Sequence, residues 1–265
     1  MAGDGGRARL LDELAAAATA AREEAAVAGW WCKASPDLPF RRASAALPPI
    51  GAGSDGAACA ASLAQVRAWC AARGQRTIVQ VSSADPAVGA LDALLAVEGL
   101  VVEAPVHVMV AGEPSQGIGG GVGELSVVAG VDEAWVEASA LLADADDHQQ
   151  ERALAYGRML VAHDERAIGA SLRVDGVVAG IGFGVVDRGW LGTFGMATAP
   201  AWRRRGVASS VLAGLRGHAA QVGARASYLQ VEVDNEPAIR LYGRVGFVRS
   251  HGYHYRSEAL GGAGG

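Results

Sequence analysis

The chain has 265 residues, 51% of them apolar and 19% charged. A disordered chain shows the opposite bias, and at roughly 150 residues per domain the length predicts about two domains. The balance of 23 basic to 28 acidic residues, net −5, argues against a nucleic-acid grip, which needs a basic face, and weakly favours cationic substrates.

Lys33 is the only lysine, so 22 of the 23 basic residues are arginine, a bias that fits a GC-rich genome. The three cysteines, Cys32, Cys59 and Cys70, lack metal-ligand spacing and point to a reducing cytoplasm. No apolar run reaches the ~18 residues that span a bilayer, so no membrane is expected. Asp12 and Glu13 interrupt the place where a signal peptide would carry its apolar core.

In chain order, residues 7–28 read as one Ala-, Leu- and Glu-rich helix closed by Gly29. A Pro-rich passage and a Gly/Ala-rich loop, 51–56, follow. Residues 63–73 predict a helix, 77–81 a strand, 88–97 a helix and 106–110 a strand. The Gly-rich run 117–123 reads as a linker, because a strand follows it and it carries no lysine of a phosphate loop. Residues 125–128 predict a strand, and 132–142 and 149–160 predict helices. Two strands, 167–174 and 177–186, are joined by the turn pair Asp175-Gly176. The strand 190–198 then leads to Pro200 and to Arg203-Arg204-Arg205-Gly206-Val207-Ala208.

That arginine run opens a helix with Val211, Leu212, Leu215 and Val222 on one stripe. A small-residue turn at a helix start leaves backbone N–H groups unpaired, which suits a pyrophosphate or equally an ordinary solvated turn. Residues 228–233 alternate as a strand. Asn235 reads as an N-cap, and Ala238, Leu241, Tyr242 and Val245 form one face of a short helix ended by Gly246. Phe247 begins a final strand. His251 and His254 are three apart in it and face opposite ways, so no metal site is expected.

The strand into Pro200, Arg203-x-x-Gly206-x-Ala208, Leu229-Gln-Val-x-x-x-Asn235, Ala238-Ile-x-Leu-Tyr242 and Gly246-Phe247 occur in one order over residues 190–256. On these motifs the chain resembles the GNAT superfamily of N-acetyltransferases. The resemblance implies an α+β fold, a mostly antiparallel twisted sheet flanked by helices. It implies acetyl-CoA as co-substrate, with its pantetheine against Met196, Ala197 and Thr198. Its pyrophosphate would meet the loop of Arg203, Arg204, Arg205, Gly206, Val207, Ala208 and Ser209, and Asn235 would fix the pantetheine arm. It further implies an Ala197 N–H as oxyanion donor and Tyr242 as proton donor to the leaving thiolate. The strand position of the base that some relatives use is Gln230 here, so the base stays open among Glu232, Asp187 and water. The acceptor is a small-molecule or peptide amine. A non-catalytic acyl-CoA-binding module and a purely structural tandem are the alternatives.

The chain also matches itself. Leu63-Ala-Gln-Val-Arg to Gly74 parallels Leu212-Ala-Gly-Leu-Arg to Gly223. Gln80-Val81 parallels Gln230-Val231, and residues 94–100 parallel 241–247. Two GNAT-like domains are therefore expected: a degenerate one over 1–112, a linker at 113–123, a catalytic one over 124–258 and a tail at 259–265. In the first, Leu95 stands where the second has Tyr242.

Overall fold

In the computed structural model, residues 4–38, 40–113, 122–142, 151, 154–155 and 166–259 are described. The Gly-rich residues 117–121, and the expected helix 149–160 apart from 151, 154 and 155, lie outside them. The chain forms two compact units, Met1–Val108 with Ser250–Gly265, and Met109–Arg249.

The first unit begins with helix α1, Asp4–Ala17, followed by a hairpin of β1, Glu23–Val27, and β2, Trp30–Ala34. This corrects the single helix expected over 7–28. Ala28 and Gly29 both have positive φ, 47° and 83°, as a two-residue hairpin turn requires. Pairing with β2 outweighs the helix preference of the alanines, because β2 puts Trp30 and Cys32 into the core. Lys33 is buried, and its Nζ donates to the carbonyls of Ala16 and Thr19 at the end of α1.

Helix α2, Gly56–Ala71, strand β3, Ile78–Ser82, helix α3, Val88–Val97, and strand β4, Val101–Ala111, come next. Leu63, Val66 and Cys70 of α2 pack with Leu91 and Leu95 of α3 and Val79 and Val81 of β3.

The second unit contains β5, Glu124–Ala129; α4, Glu133–Leu142; β6, Ala167–Val174; β7, Val177–Asp187; and β8, Trp190–Thr198. Helix α5, Val207–Gln221, strand β9, Ala226–Glu232, and helix α6, Glu236–Arg244, complete it. The sheet order is β5-β6-β7-β8-β9. The first three pairings are antiparallel and β8 runs parallel to β9, which gives the expected mixed sheet.

The last strand, β10, Val248–Ser257, pairs antiparallel with β3, Tyr253 opposite Ser82 and Ser257 opposite Ile78. Residues 250–258 therefore sit with the first unit, not with the second as expected. The chain order α2-β3-α3-β4 recurs as α5-β9-α6-β10, which is where the internal sequence match falls.

His251 and His254 of β10 meet different carboxylates. His251 Nε2 lies 3.2 Å from buried Asp12, which also accepts from Gln80 Nε2 at 3.0 Å. His254 Nε2 lies 2.7 Å from Asp92, which Arg256 clamps through Nε at 2.8 Å and Nη2 at 2.7 Å. The Arg256 hydrogen bonds, and then His254, hold the Asp92 carboxyl at about 2 against an ordinary 3.8. A depressed carboxylate stabilises the fold above its unfolded value and loses that effect as pH falls through its folded value. Asp92→Asn should therefore cost about 1 kcal/mol at pH 7, allowing for partial exposure. In denaturant titrations the gap from wild type should close between pH 3.8 and about 2. A gap independent of pH would show that the ion pair contributes nothing.

Candidate acyl-CoA site

The second unit builds its site from a sheet that opens. β8 and β9 pair from Trp190 opposite Ala226 to Thr193 opposite Leu229, and no further. Beyond that point residues 194–198 keep their partners on β7 only, from Phe183 opposite Phe194 to Gly180 opposite Thr198. The edge of β8 that faced β9 is thus free of strand pairing over its last residues.

A bulge lies at the start of this stretch. Ile181 opposes Ala197 while Phe183 opposes Phe194, so β8 carries one extra residue opposite Gly182. Past the bulge the amides alternate sides. Ala199 N–H donates to the Ala179 carbonyl on β7, so Ala197, two residues back, faces β7 as well. Thr198, between them, presents its N–H and C=O to the gap, and Met196 lies in the bulge next to it. This counts against Ala197 as the expected oxyanion donor, because its amide belongs to the β7 ladder, and leaves Met196, in the adjacent bulge, as the candidate.

The chain then turns at Pro200–Trp202 and enters α5. Gly206 is the N-cap of α5, with φ 86°, and Arg204 also has positive φ, 63°. Alternating handedness over 204–206 turns successive N–H groups toward one point, an anion-binding concavity. No side chain caps α5 and no acidic residue stands in its first turn. Its first free amides are therefore open to an anion at the positive end of the helix.

The glycines of β7 bring α5 close. A side chain on Gly180 would strike Val207, and one on Gly182 would meet Met196 Sδ at 2.6 Å and Val211 Cγ1 at 2.8 Å. Val207, Val211 and Leu215 of α5 consequently pack directly on the strands, with Ile168, Ala170 and Leu191.

A cavity of about 840 Å³ joins these parts. Met196, Ala197, Thr198, Arg203, Arg204, Gly206, Val207, Ala208, Ser209 and Asn235 all line it. The sequence motifs thus converge on one space. Leu142, Trp202, Pro237, Ala238, Leu241 and Arg244 also line it and were not anticipated. For Ala238 and Leu241 the helical spacing signalled only burial, and both line the cavity.

Four expected residues, Arg205, Glu232, Tyr242 and Asp187, stand outside the lining. Arg205 lies over the Trp202 ring, its guanidinium 4.8 Å from the centroid. Glu232 is exposed at the end of β9. Tyr242 is buried, 8% exposed, in a cluster with Leu212, Leu229 and Phe247, its ring centroid 6.0 Å from that of Phe247. Burial pushes the Tyr242 phenol above its ordinary value of 10, so it is protonated at neutral pH. Asp187 precedes β8 at the strand end opposite to Met196–Thr198, with Arg166 and Arg188 each 3.8 Å away. It cannot reach the gap.

Asn235 uses its Oδ1 to accept from Ala238 N–H at 3.2 Å, capping α6. Arg216 of α5 is buried and donates to the carbonyls of Gly112, Glu113 and Val245, which ties α5 to the chain on either side; burial lowers its pKa.

The first unit treats the corresponding helix start differently. Asp55 caps α2, its carboxylate accepting from Ala57 and Ala58 N–H at 3.1 and 3.0 Å. The preceding loop packs on α3, where a side chain on Gly53 would strike the backbone of Leu91. An internal carboxylate occupies the amides that α5 leaves open.

The second unit thus combines a splayed parallel strand pair with an uncapped, arginine-flanked helix start. The description "Acetyltransferase (GNAT) family" matches residues 131–247. Over those residues the chain is similar to that family. No curated protein sequence matches the chain. Among solved structures the chain is similar to a GCN5-related N-acetyltransferase from Kribbella flavida, at 17% identity and TM-score 0.72, covering 99% of this chain and 98% of that one. It is also similar to a functionally unknown conserved protein from Staphylococcus epidermidis ATCC 12228, at 9% identity and TM-score 0.65, covering 90% and 93%. A tandem GNAT protein from the clavulanic acid biosynthesis pathway matches at 13% identity and TM-score 0.55, covering 76% and 69%. At these identities the likeness is one of fold.

Among the described residues no helix is long and apolar enough to cross a membrane, and no three His, Cys, Asp or Glu side chains are grouped to hold a metal ion.

Proposed function

We propose that the second unit transfers an acetyl group from acetyl-CoA to a primary amine by direct attack, with both substrates bound together. The observation that carries this reading is the single cavity bounded by the unpaired end of β8, the open amides of α5 and Asn235. It suits a long ligand with an amide-bearing arm and a phosphate group. Among the described residues the lining contains three arginines and no acidic side chain, which favours an anion there.

In this reading the pantetheine amides extend the β8 edge at Met196 and Thr198, as an added strand would. The α5 amides and Arg203 and Arg204 hold the pyrophosphate. The co-substrate supplies an activated thioester. The amine gives up a proton to Glu232 or to water, since an alkylammonium near pKa ~10 cannot attack. Its nitrogen then bonds the acetyl carbon, and the Met196 N–H faces the oxygen that gains charge. As the carbon–sulfur bond breaks, the sulfur takes a proton from Tyr242, and the nitrogen loses its second proton to solvent, from which the phenol is restored. The first unit, with Asp55 on its own helix start and Leu95 in place of a tyrosine, takes no part in the transfer.

The positions of Tyr242 and Glu232 outside the cavity lining favour one second reading, a module that binds acyl-CoA without turning it over. Thiol release separates the two. With acetyl-CoA and a panel of protein N-terminal peptides, lysine peptides, amino acids, polyamines and aminoglycosides, the transferase reading expects amine-dependent free thiol. A thermal shift with acetyl-CoA but no thiol across the panel would establish the second reading instead.

A further inference from the structure

Two apolar clusters of the second unit flank the open gap. In one, Val207, Val211 and Leu215 of α5 pack on β6, β7 and β8. The other joins Leu212 of α5 to Leu229 of β9 and Tyr242 of α6. Among the described residues Met196 alone packs against both. It lies at the bulge of β8, past the point where β8 and β9 stop pairing, and it lines the cavity. Its side chain therefore bridges the opening on the α5 face of the sheet.

Gly182 makes room for that side chain, since a Cβ there would stand 2.6 Å from Met196 Sδ and 2.8 Å from Val211 Cγ1. An unbranched thioether fills an irregular gap of this kind with little strain. In the transferase reading the thioester lies between the Met196 N–H and the Tyr242 hydroxyl. Carbon atoms beyond the acetyl methyl then have little space. Toward the apex the strands close at Thr193 and Leu229. Toward α5 the Met196 side chain occupies the gap. The attacking amine takes the remaining face.

We propose that Met196 is a specificity-determining residue that limits the acyl group to acetyl and excludes chains of butyryl length. This rests on the acyl-CoA reading of the cavity. Alanine at this position would remove the sulfur and the two carbons bonded to it. A butyryl chain adds two carbons to an acetyl group, so the vacated space suits the longer chain.

Titration calorimetry with acetyl-CoA and butyryl-CoA tests this without any amine, on wild type, Met196→Ala, Met196→Leu and Met109→Ala. Wild type should bind acetyl-CoA about tenfold more tightly than butyryl-CoA, the low end for an overfilled apolar pocket. Met196→Ala should reverse the order, binding butyryl-CoA about tenfold more tightly, which two newly buried methylenes supply. Met196→Leu conserves the volume and should keep the wild-type order. Met109 belongs to the Tyr242 cluster but not to the cavity lining, so Met109→Ala should keep that order too, which separates an opened gap from a loosened core. A wild type indifferent to chain length, a Met196→Ala with the wild-type order, or a reversal in Met109→Ala overturns the assignment of Met196 and leaves the acyl-CoA reading standing. A wild type that binds neither compound overturns that reading and this assignment together.

Discussion

Replacing Ala208 with glutamate should abolish acetyl-CoA binding while leaving the protein folded. Ala208 is the second residue of α5, half-buried, and lines the cavity beside Gly206 and Ser209. A carboxylate there would stand where the pyrophosphate is expected. Two unit charges of one sign about 4 Å apart repel by about 4 kcal/mol at the dielectric typical of a protein surface. That corresponds to a loss of affinity of at least about 100-fold. The same carboxylate suits the positive end of α5, whose first turn now holds no acid, and should raise its stability by about 0.5 kcal/mol. Binding and stability should therefore move in opposite directions, which a misfolded variant cannot imitate. Calorimetry with acetyl-CoA and a melting curve on the same preparation decide it. Unchanged affinity would place the phosphate elsewhere.

Tyr242→Phe should lower kcat by about 100-fold, the low end of what a positioned proton donor contributes. The hydroxyl is the only group lost. The ring stays among Leu212, Leu229 and Phe247, so stability should hold, and the loop that would bind the co-substrate is untouched. KM for acetyl-CoA should stay within about twofold, since an interaction that acts only in the transition state lowers kcat alone. The effect depends on the phenol keeping its proton, and its burial ensures this at neutral pH. An unchanged kcat would remove Tyr242 from the reaction and favour water as the proton source.

Much of the second unit was legible before any coordinates. The strands 167–174 and 190–198 have the expected limits, because alternating β-branched and small residues bounded by Gly and Pro leave few other foldings. The opening of α5 was legible from Pro200, the arginine run and Gly206, since few sequences suit a positive φ directly before a helix. Asn235 is the cap it was expected to be.

Other features are not written locally. The alanine- and glutamate-rich residues 18–27 prefer helix by themselves, and only the register Glu23 opposite Ala34 to Val27 opposite Trp30 turns five of them into a strand. The side to which an amide points depends on which strand lies beside it and on where a bulge falls, so Ala197 and Met196 could not be told apart by sequence. Glu232 and Asp187 were equal candidates on paper. The strand direction of β8 puts Asp187 at the wrong end, and exposure at the end of β9 keeps Glu232 off the cavity wall.

The same division holds for the domain count with which composition began. Length and the internal match led to an expectation of two units, and the chain forms two compact ones in which a helix–strand–helix–strand order recurs. Where one unit ends was decided by tertiary structure alone. The last strand pairs along one edge with β3, about 170 residues earlier, and a backbone partner at that separation leaves no mark on nearby residues. The sequence motifs marked which residues come together around the cavity. The sheet's opening after Thr193 and Leu229 decided which of them face it, because only unpaired backbone can accept a ligand as its next strand.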